Sequence, residues 1–405
     1  MNNKMKIVII SETFAKNMGY MESMLPKYLA RLDAEVHVIT TDLSPYYQTP
    51  DFAQTYTDFS KKSHLTPGSV QLHDGYTLHA LPHQLVLGYM RIEGLRAKLA
   101  EIRPDIVYSI AAIGWIALES ALLKPLFNYK LFTGSHTTAS VFPLARQKNS
   151  LFNLAIIKNF LTRVIPGRIT SLFTEKCYGA TKDCADIAVR FFGVENCKID
   201  VCPLGVDIDL FSPLKTEEDF NARARFRSDL GVGADEIVCI YTGRFSEDKN
   251  PLILGEAIAL LVSQGEPYRA IFVGHGVQAE SLKHLAGCTV FPFTPVENLP
   301  QYFRSADIGV WPTQESTSML DAAACGLPLI VNNTLVATER IDGNGLTYHL
   351  NDVADMARVL RLLKDPDFRK KLGAVGAHKM INEFSWESIA IKRFIDFKAA
   401  IGNSQ

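Results

Sequence analysis

Short apolar runs alternate along the chain with segments whose apolar positions recur at helical spacing, in both halves. That alternation predicts parallel β-sheets joined by crossover helices, an α/β fold. The N-terminal half offers KIVII (6–10), EVHVIT (35–40), DIVYSI (105–110), KLFT (130–133) and KIDVC (198–202) as strands. The C-terminal half offers EIVCIYT (236–242), AIFVG (270–274), TVFPF (289–293), IGVWP (308–312) and PLIVN (328–332). After the first run, Met21, Met24, Leu25, Tyr28, Leu29 and Leu32 share one helical face that would pack back on the sheet. Pro26 falls early in that helix, where its missing N–H matters less than at mid-helix.

Two Rossmann-like halves result, joined near CPLGVDIDLFSP (202–213), whose prolines and glycine read as a linker. The expected division is 1–205 with 386–405 for the first domain and 206–385 for the second. The closing segment FSWESIAIKRFIDFKAAI puts Ser385 at a helix N-cap and Glu387 in the first turn. Trp386, Ile389, Ala390, Phe394 and Phe397 form its apolar face, which predicts a terminal helix crossing back onto the first domain.

Length and composition fit this division. A chain of 405 residues exceeds one ordinary core and suits two domains of roughly 200 residues each. With 47% hydrophobic and 21% charged residues it has the balance of a globular protein. The formal net charge of −1 gives no global case for nucleic acid, so anion binding has to come from local clusters. Seven scattered cysteines without a CxxC predict reduced core thiols in a cytoplasmic protein. The opening MNNKMKIVIISETF reads as a first buried strand and not a signal peptide. No run approaches the roughly 18 apolar residues needed to span a bilayer.

In open parallel sheets, ligands bind beyond the carboxyl ends of the strands. Arg244 and Lys249 stand there, in YTGRFSEDKN (241–250). An arginine fork beside a lysine ammonium suits a diphosphate whose charge grows as its bond to a sugar breaks. The alternative is a solvated loop with Arg244 paired to Glu247 or Asp248. In WPTQESTSMLDAAACGLPLIV (311–331), Glu315 and Ser316 are expected to open a helix that runs through Asp321 towards Cys325, with Gly326 and Pro328 stopping it. The free N–H groups of such a start seat phosphate or sugar oxygens, and the carboxylates of Glu315 and Asp321 suit sugar and ribose hydroxyls. Helix capping by Glu315 and an exposed Asp321 is the other reading.

GVDIDLF (205–211), GRFSEDKN (243–250), GHG (274–276), LPQYFRSADIGVWP (299–312), DAAACGLPLIV (321–331) and GNGL (343–346) resemble, in order and spacing, the motifs of family-4 glycosyltransferases. The resemblance is strong over 198–390 and weaker before it. It implies a GT-B fold, two Rossmann-like domains facing a cleft, with no cofactor and no metal. It also implies retaining transfer of a sugar from a UDP- or GDP-linked donor to a hydroxyl of a glycan or polyprenyl-linked acceptor, in bacterial surface polysaccharide synthesis.

Under this resemblance, Arg244 and Lys249 correspond to the pair that stabilises the departing diphosphate. Asp321 resembles the acid that holds the ribose hydroxyls, and Glu315 the acid that contacts the donor sugar. The family pattern is E-x7-E, whereas this chain reads E-x5-D, with Ser316, Thr317, Ser318 and Met319 in the donor-binding turn beside Gly243. Gly19 in KNMGYME resembles a glycine turn that lets the backbone approach the diphosphate. His136 in FTGSHTT resembles a histidine beside donor sugar and acceptor. His275 stands where the family often has Asp and is read as loop packing.

From Ala121 to Thr174 the chain holds no acid, yet it carries Lys124, Lys130, Arg146, Lys148, Lys158, Arg163 and Arg168. Leu154, Ile157, Leu161 and Val164 make one helical stripe there, while Phe152 and Ile156 fall among the cations. A basic, two-sided apolar helix over 146–168 fits contact with the anionic inner face of a membrane, where a lipid-linked acceptor lies. A packed helix with a solvated basic face fits equally. Other activities share the fold class: a nucleotide-sugar epimerase, a non-catalytic sugar-nucleotide or membrane-binding module, and a nicotinamide-dependent oxidoreductase. The glycine fingerprint of the last is missing from SETFAKNMG and GHGVQAES.

Overall fold

The computed structural model describes residues 4–43, 45, 65–87, 89–139, 142–146, 154–313 and 315–402. The chain forms two compact units, one running to Leu204 and resuming at Ile389, the other spanning Gly205–Ser388. The strands of the first unit are β1 (Met5–Ile10), β2 (Ala34–Thr41), β3 (Val70–His73), β4 (Tyr76–Leu81), β5 (His83–Val86), β6 (Tyr89–Ile92), β7 (Ile106–Ser109), β8 (Lys130–Ser135), β9 (Thr174–Gly179) and β10 (Ile199–Val201). Its main sheet has the order β10-β9-β8-β7-β1-β2-β4-β3, parallel except for β3, and β5 pairs with β6 as a hairpin.

The second unit holds β11 (Ile237–Arg244), β12 (Tyr268–His275), β13 (Cys288–Phe291), β14 (Ile308–Trp311), β15 (Leu329–Asn332) and β16 (Gly345–Tyr348). All six are parallel, in the order β13-β12-β11-β14-β15-β16. Strand order reverses between β1 and β7 in one sheet and between β11 and β14 in the other. A crevice opens at such a switch point because the flanking connections leave on opposite faces.

Each apolar run read as a strand is one. The runs missed are the polar ones, and β9 shows why. Its sequence TEKCYG puts Glu175 and Lys176 in mid-sheet, where Lys124 meets Glu175 at 2.9 Å and Asp396 meets Lys176 at 2.7 Å. Tertiary partners satisfy those charges, so no apolar run marks the strand.

The boundary between the units falls inside the segment 202–213, between Leu204 and Gly205, and the segment is packed. Val206 and Phe211 are buried, and Val206 makes a parallel bridge to Ser385. The terminal helix Trp386–Gly402 starts where expected, with Ser385 Oγ accepting from the Ser388 N–H at 3.1 Å. Its predicted apolar face is buried, and Phe397 meets Phe132 edge-on at 4.6 Å. The same helix buries Arg393, whose guanidinium lies 4.9 Å from the Tyr108 ring centroid and 4.7 Å from that of Tyr178. None of the seven cysteines forms a disulfide.

The single stripe expected in the basic segment is broken. Helical residues 154–173 include a π-helical turn, Phe160–Val164, closed by the Ile165 N–H donating to the Phe160 carbonyl. One extra residue in a turn rotates the helix beyond it, so Val164 is buried while Ile157 and Leu161 are exposed. Phe160, Ile165 and Leu172 are also exposed, as are Leu122 and Leu126 on the helix Trp115–Phe127. Lys148 and Phe152, and the side chains of Arg146 and Leu154, lie outside the described residues. No helix among the described residues is long and apolar enough to cross a membrane.

Candidate functional site

In the first unit a cavity of about 390 Å³ opens at the switch point, lined by the ends of β1 (Ile10, Ser11), β7 (Ser109) and β8 (Gly134, Ser135) and by His136. Gly134 is required there, because a Cβ would stand 2.4 Å from the Ile110 carbonyl oxygen and 2.6 Å from the Tyr108 hydroxyl. His136 opens onto this cavity and is exposed. The protein packed around it, and then the charge of Arg393, hold its imidazole below the usual histidine range, so it is neutral at physiological pH. Gly19 caps a 3-10 turn (Lys16–Met18) at φ 66°, a left-handed conformation that favours glycine and launches the helix Met21–Ala30.

Glu22 was not anticipated. It lines the same cavity, is 9% exposed, and burial pushes its carboxyl up to about 7 against the restraint of its own N–H. A signal was present: Glu22 shares a helical face with Leu25 and Leu29, an acid where an apolar residue is due.

In the second unit the elements after β11 and β14 meet. Gly243 and Arg244 end β11 on its exposed side, and Lys249 follows on a half-buried turn. Lys249 Nζ donates to the Glu315 carbonyl at 2.9 Å, tying the two loops together across the switch point. Burial lowers the Lys249 ammonium, opposed by Asp248 and reinforced by the like charge of Arg244. Arg244 makes the surface pair that a solvated loop would show, but loosely, at 3.6 Å to Asp248 with both side chains 45% exposed. A pair that open to water is worth about 1 kcal/mol or less and gives way readily to a bound anion.

The strand ends are fixed from behind. Tyr241 donates its hydroxyl to the Arg244 carbonyl at 2.9 Å, Trp311 its indole N–H to the Thr242 carbonyl at 3.2 Å, and Tyr348 its hydroxyl to the Pro312 carbonyl at 2.9 Å. Gly274 and Gly276 pack against the end of β11 and the turn after it: a Cβ on Gly274 would fall 1.9 Å from the Gly243 carbonyl oxygen. His275 between them is exposed, so the loop packing assigned to it belongs to its glycine neighbours.

The helix after β14 differs from expectation. It spans only Ser318–Ala324, three residues later than Glu315, with Thr317 before it and no side-chain cap. Glu315 does not cap it, because its carboxylate accepts from the Ala337 N–H at 3.2 Å and pairs with Arg340 at 3.4 Å. Ser316 and Ser318 join hydroxyls at 2.8 Å. Met319 is fully buried in the core and offers no side chain to a ligand. Asp321 is half-buried and not exposed, and burial, followed by the neighbouring Asp207, pushes its carboxyl up to about 8.

Two family models match the chain. The model "Glycosyltransferase Family 4" matches residues 24–210 and "Glycosyl transferases group 1" matches 236–365, so between them they take in most of both units. The chain belongs to the family-4 glycosyltransferases. This glycosyltransferase is 28% identical over 389 residues to a D-inositol 3-phosphate glycosyltransferase of Xylanimonas cellulosilytica, covering 90% of this chain and 87% of the relative. Among solved structures it resembles HepE of Anabaena in complex with UDP, with TM-score 0.69 and 15% identity over 98% of this chain and 100% of that one. It also resembles WaaG, a glycosyltransferase involved in lipopolysaccharide biosynthesis, with TM-score 0.63 and 14% identity over 96% and 98%. The fold of this glycosyltransferase is therefore GT-B.

Proposed function

We propose that this glycosyltransferase transfers a sugar, with retention and without a metal, from a UDP- or GDP-linked donor to a hydroxyl of a glycan or lipid-linked acceptor, in surface polysaccharide synthesis. The observation that carries the reading is the pair Arg244 and Lys249, two cations close enough to repel at the switch-point end of β11. Repulsion held in a folded site is relieved by an anion, and most by one whose charge is growing. The bond from the anomeric carbon to the diphosphate breaks while a bond to the acceptor oxygen forms on the same face. The leaving phosphate oxygen takes the hydroxyl proton, and Arg244 and Lys249 neutralise the diphosphate.

The second unit is assigned the donor: Asp321 for the ribose hydroxyls, Glu315 for the sugar, and Gly243 with Ser316, Thr317 and Ser318 for the backbone and hydroxyl contacts. The first unit is assigned the acceptor, with neutral His136 hydrogen-bonding sugar hydroxyls. The UDP in the HepE structure supports a nucleotide-diphosphate donor. The test is a thermal shift with UDP, GDP and their sugars, followed by turnover with a panel of acceptors. A ligand bound only by the folded state raises the melting temperature, so a rise with one nucleotide series is expected, and none with either overturns the assignment.

The exposed apolar residues Ile157, Phe160, Leu161 and Ile165, beside exposed Lys158 and Arg168, support peripheral contact with an anionic cytoplasmic membrane face. The protein is expected to float with vesicles containing phosphatidylglycerol and to be released by high salt. It should not float with phosphatidylcholine alone. Phe160→Ser with Leu161→Ser should abolish flotation at unchanged melting temperature. Equal flotation by wild type and variant would remove this surface from the reading.

A further inference from the structure

Arg340 is 4% exposed at the end of a 3-10 turn, Thr338–Arg340. A guanidinium that deep needs a counter-charge, and the Glu315 carboxylate meets it at 3.4 Å. The other carboxylate oxygen of Glu315 accepts from the Ala337 N–H at 3.2 Å, so both oxygens are held from one side. The turn is itself anchored: Lys379 of the helix Pro366–Asn382 donates to the Glu339 carbonyl at 3.1 Å, to the Asn344 side-chain oxygen at 3.1 Å and to the Asp342 carbonyl. Glu315 in turn receives Lys249 on its backbone carbonyl at 2.9 Å. The Nε of Arg340 has no hydrogen-bond partner among the described residues.

We infer that Arg340 is a positioning residue that holds the Glu315 carboxylate, and through it the loop after β14, in register for the sugar of the donor. The inference rests on the proposed donor site. It accounts for a loop that a helix start does not order: with the helix delayed to Ser318, Glu315 lies outside it and is oriented by Ala337 and Arg340 from the connection after β15. Glu315 keeps 29% of its side chain exposed, leaving lone pairs for a sugar hydroxyl while two donors fix its plane.

The experiment compares the nucleotide with its sugar conjugate in the full chain: UDP against UDP-glucose, or GDP against GDP-mannose if the guanine pair gives the larger wild-type shift. Arg340→Met is expected to keep the thermal shift produced by the nucleotide and to lose the extra shift produced by the sugar, with KM for the sugar nucleotide raised about tenfold. Arg340→Lys should restore part of it. In a Glu315→Gln background, Arg340→Met should add no further loss, because the two act on one contact. Arg340→Met equal to wild type with both ligands overturns the inference, as does parallel loss of the nucleotide and sugar shifts in both Arg340 variants, which would mark a structural role alone. A wild type that responds to no nucleotide overturns the donor reading as well, so the two failures are distinct.

Discussion

Arg244→Ala and Lys249→Ala are each expected to lower kcat by about 10²- to 10³-fold, the usual cost of removing one preorganised stabiliser of transition-state charge. Stability should hardly change. Among the described residues Arg244, 45% exposed, pairs only with Asp248, and Lys249 contributes one hydrogen bond to a backbone carbonyl. KM for the donor should rise far less than kcat falls, because the diphosphate charge these cations meet is greatest at the transition state. Arg244→Lys should recover part of the loss, since it keeps the charge and loses the bidentate fork. Rates within about fivefold of wild type in both alanine variants, at unchanged melting temperature, would remove the leaving-group role.

Asp321→Asn should stabilise the second unit, and the gain should depend on pH. Burial, with the like charge of Asp207 behind it, pushes the Asp321 carboxyl up to about 8 from an ordinary aspartate value. The folded unit therefore holds this proton more tightly than the unfolded chain does. Stability then falls as pH rises from about 4 to about 8 and is flat beyond, because native Asp321 binds the extra proton throughout that window. Without nucleotide, Asp321→Asn and wild type should melt together near pH 4. The variant should melt higher by at least about 3 °C at pH 8.5. A constant difference across the range would mean that Asp321 is not the group titrating. The cost to wild type is consistent with a carboxylate kept for binding hydroxyls: a bound ribose would supply the hydrogen bonds that water supplies in the unfolded chain.

What the sequence revealed and what it concealed divide along a physical line. Burial of β-strand faces writes itself as apolar runs, so β1, β2, β7, β8, β10 and β11–β15 were legible, and with them the two strand ends that carry Arg244, Lys249 and His136. Strand β9 was not, because its charged side chains, paired across tertiary distances, look like loop, and β3–β6 were not, because polar residues interrupt their short apolar pattern. The helix start after β14 was misplaced for a related reason. Glu315 reads as a first-turn acid in sequence, but Arg340, 25 residues later, claims it in space. Arg340 and Arg393 left no trace that periodicity could detect, since a buried guanidinium is marked only by the partners the fold brings to it. Glu22 left a faint one, an acid on an apolar face.

The closing helix has a consequence for which of the two cores depends on distant parts of the chain. From Ile389 onward it belongs to the first unit, supplying Arg393 between Tyr108 and Tyr178 and Phe397 against Phe132. The second unit, Gly205–Ser388, can complete its core without those residues. The first unit, although translated earlier, cannot. A polypeptide cut before Ile389 would thus keep the core of the second unit and leave that of the first open.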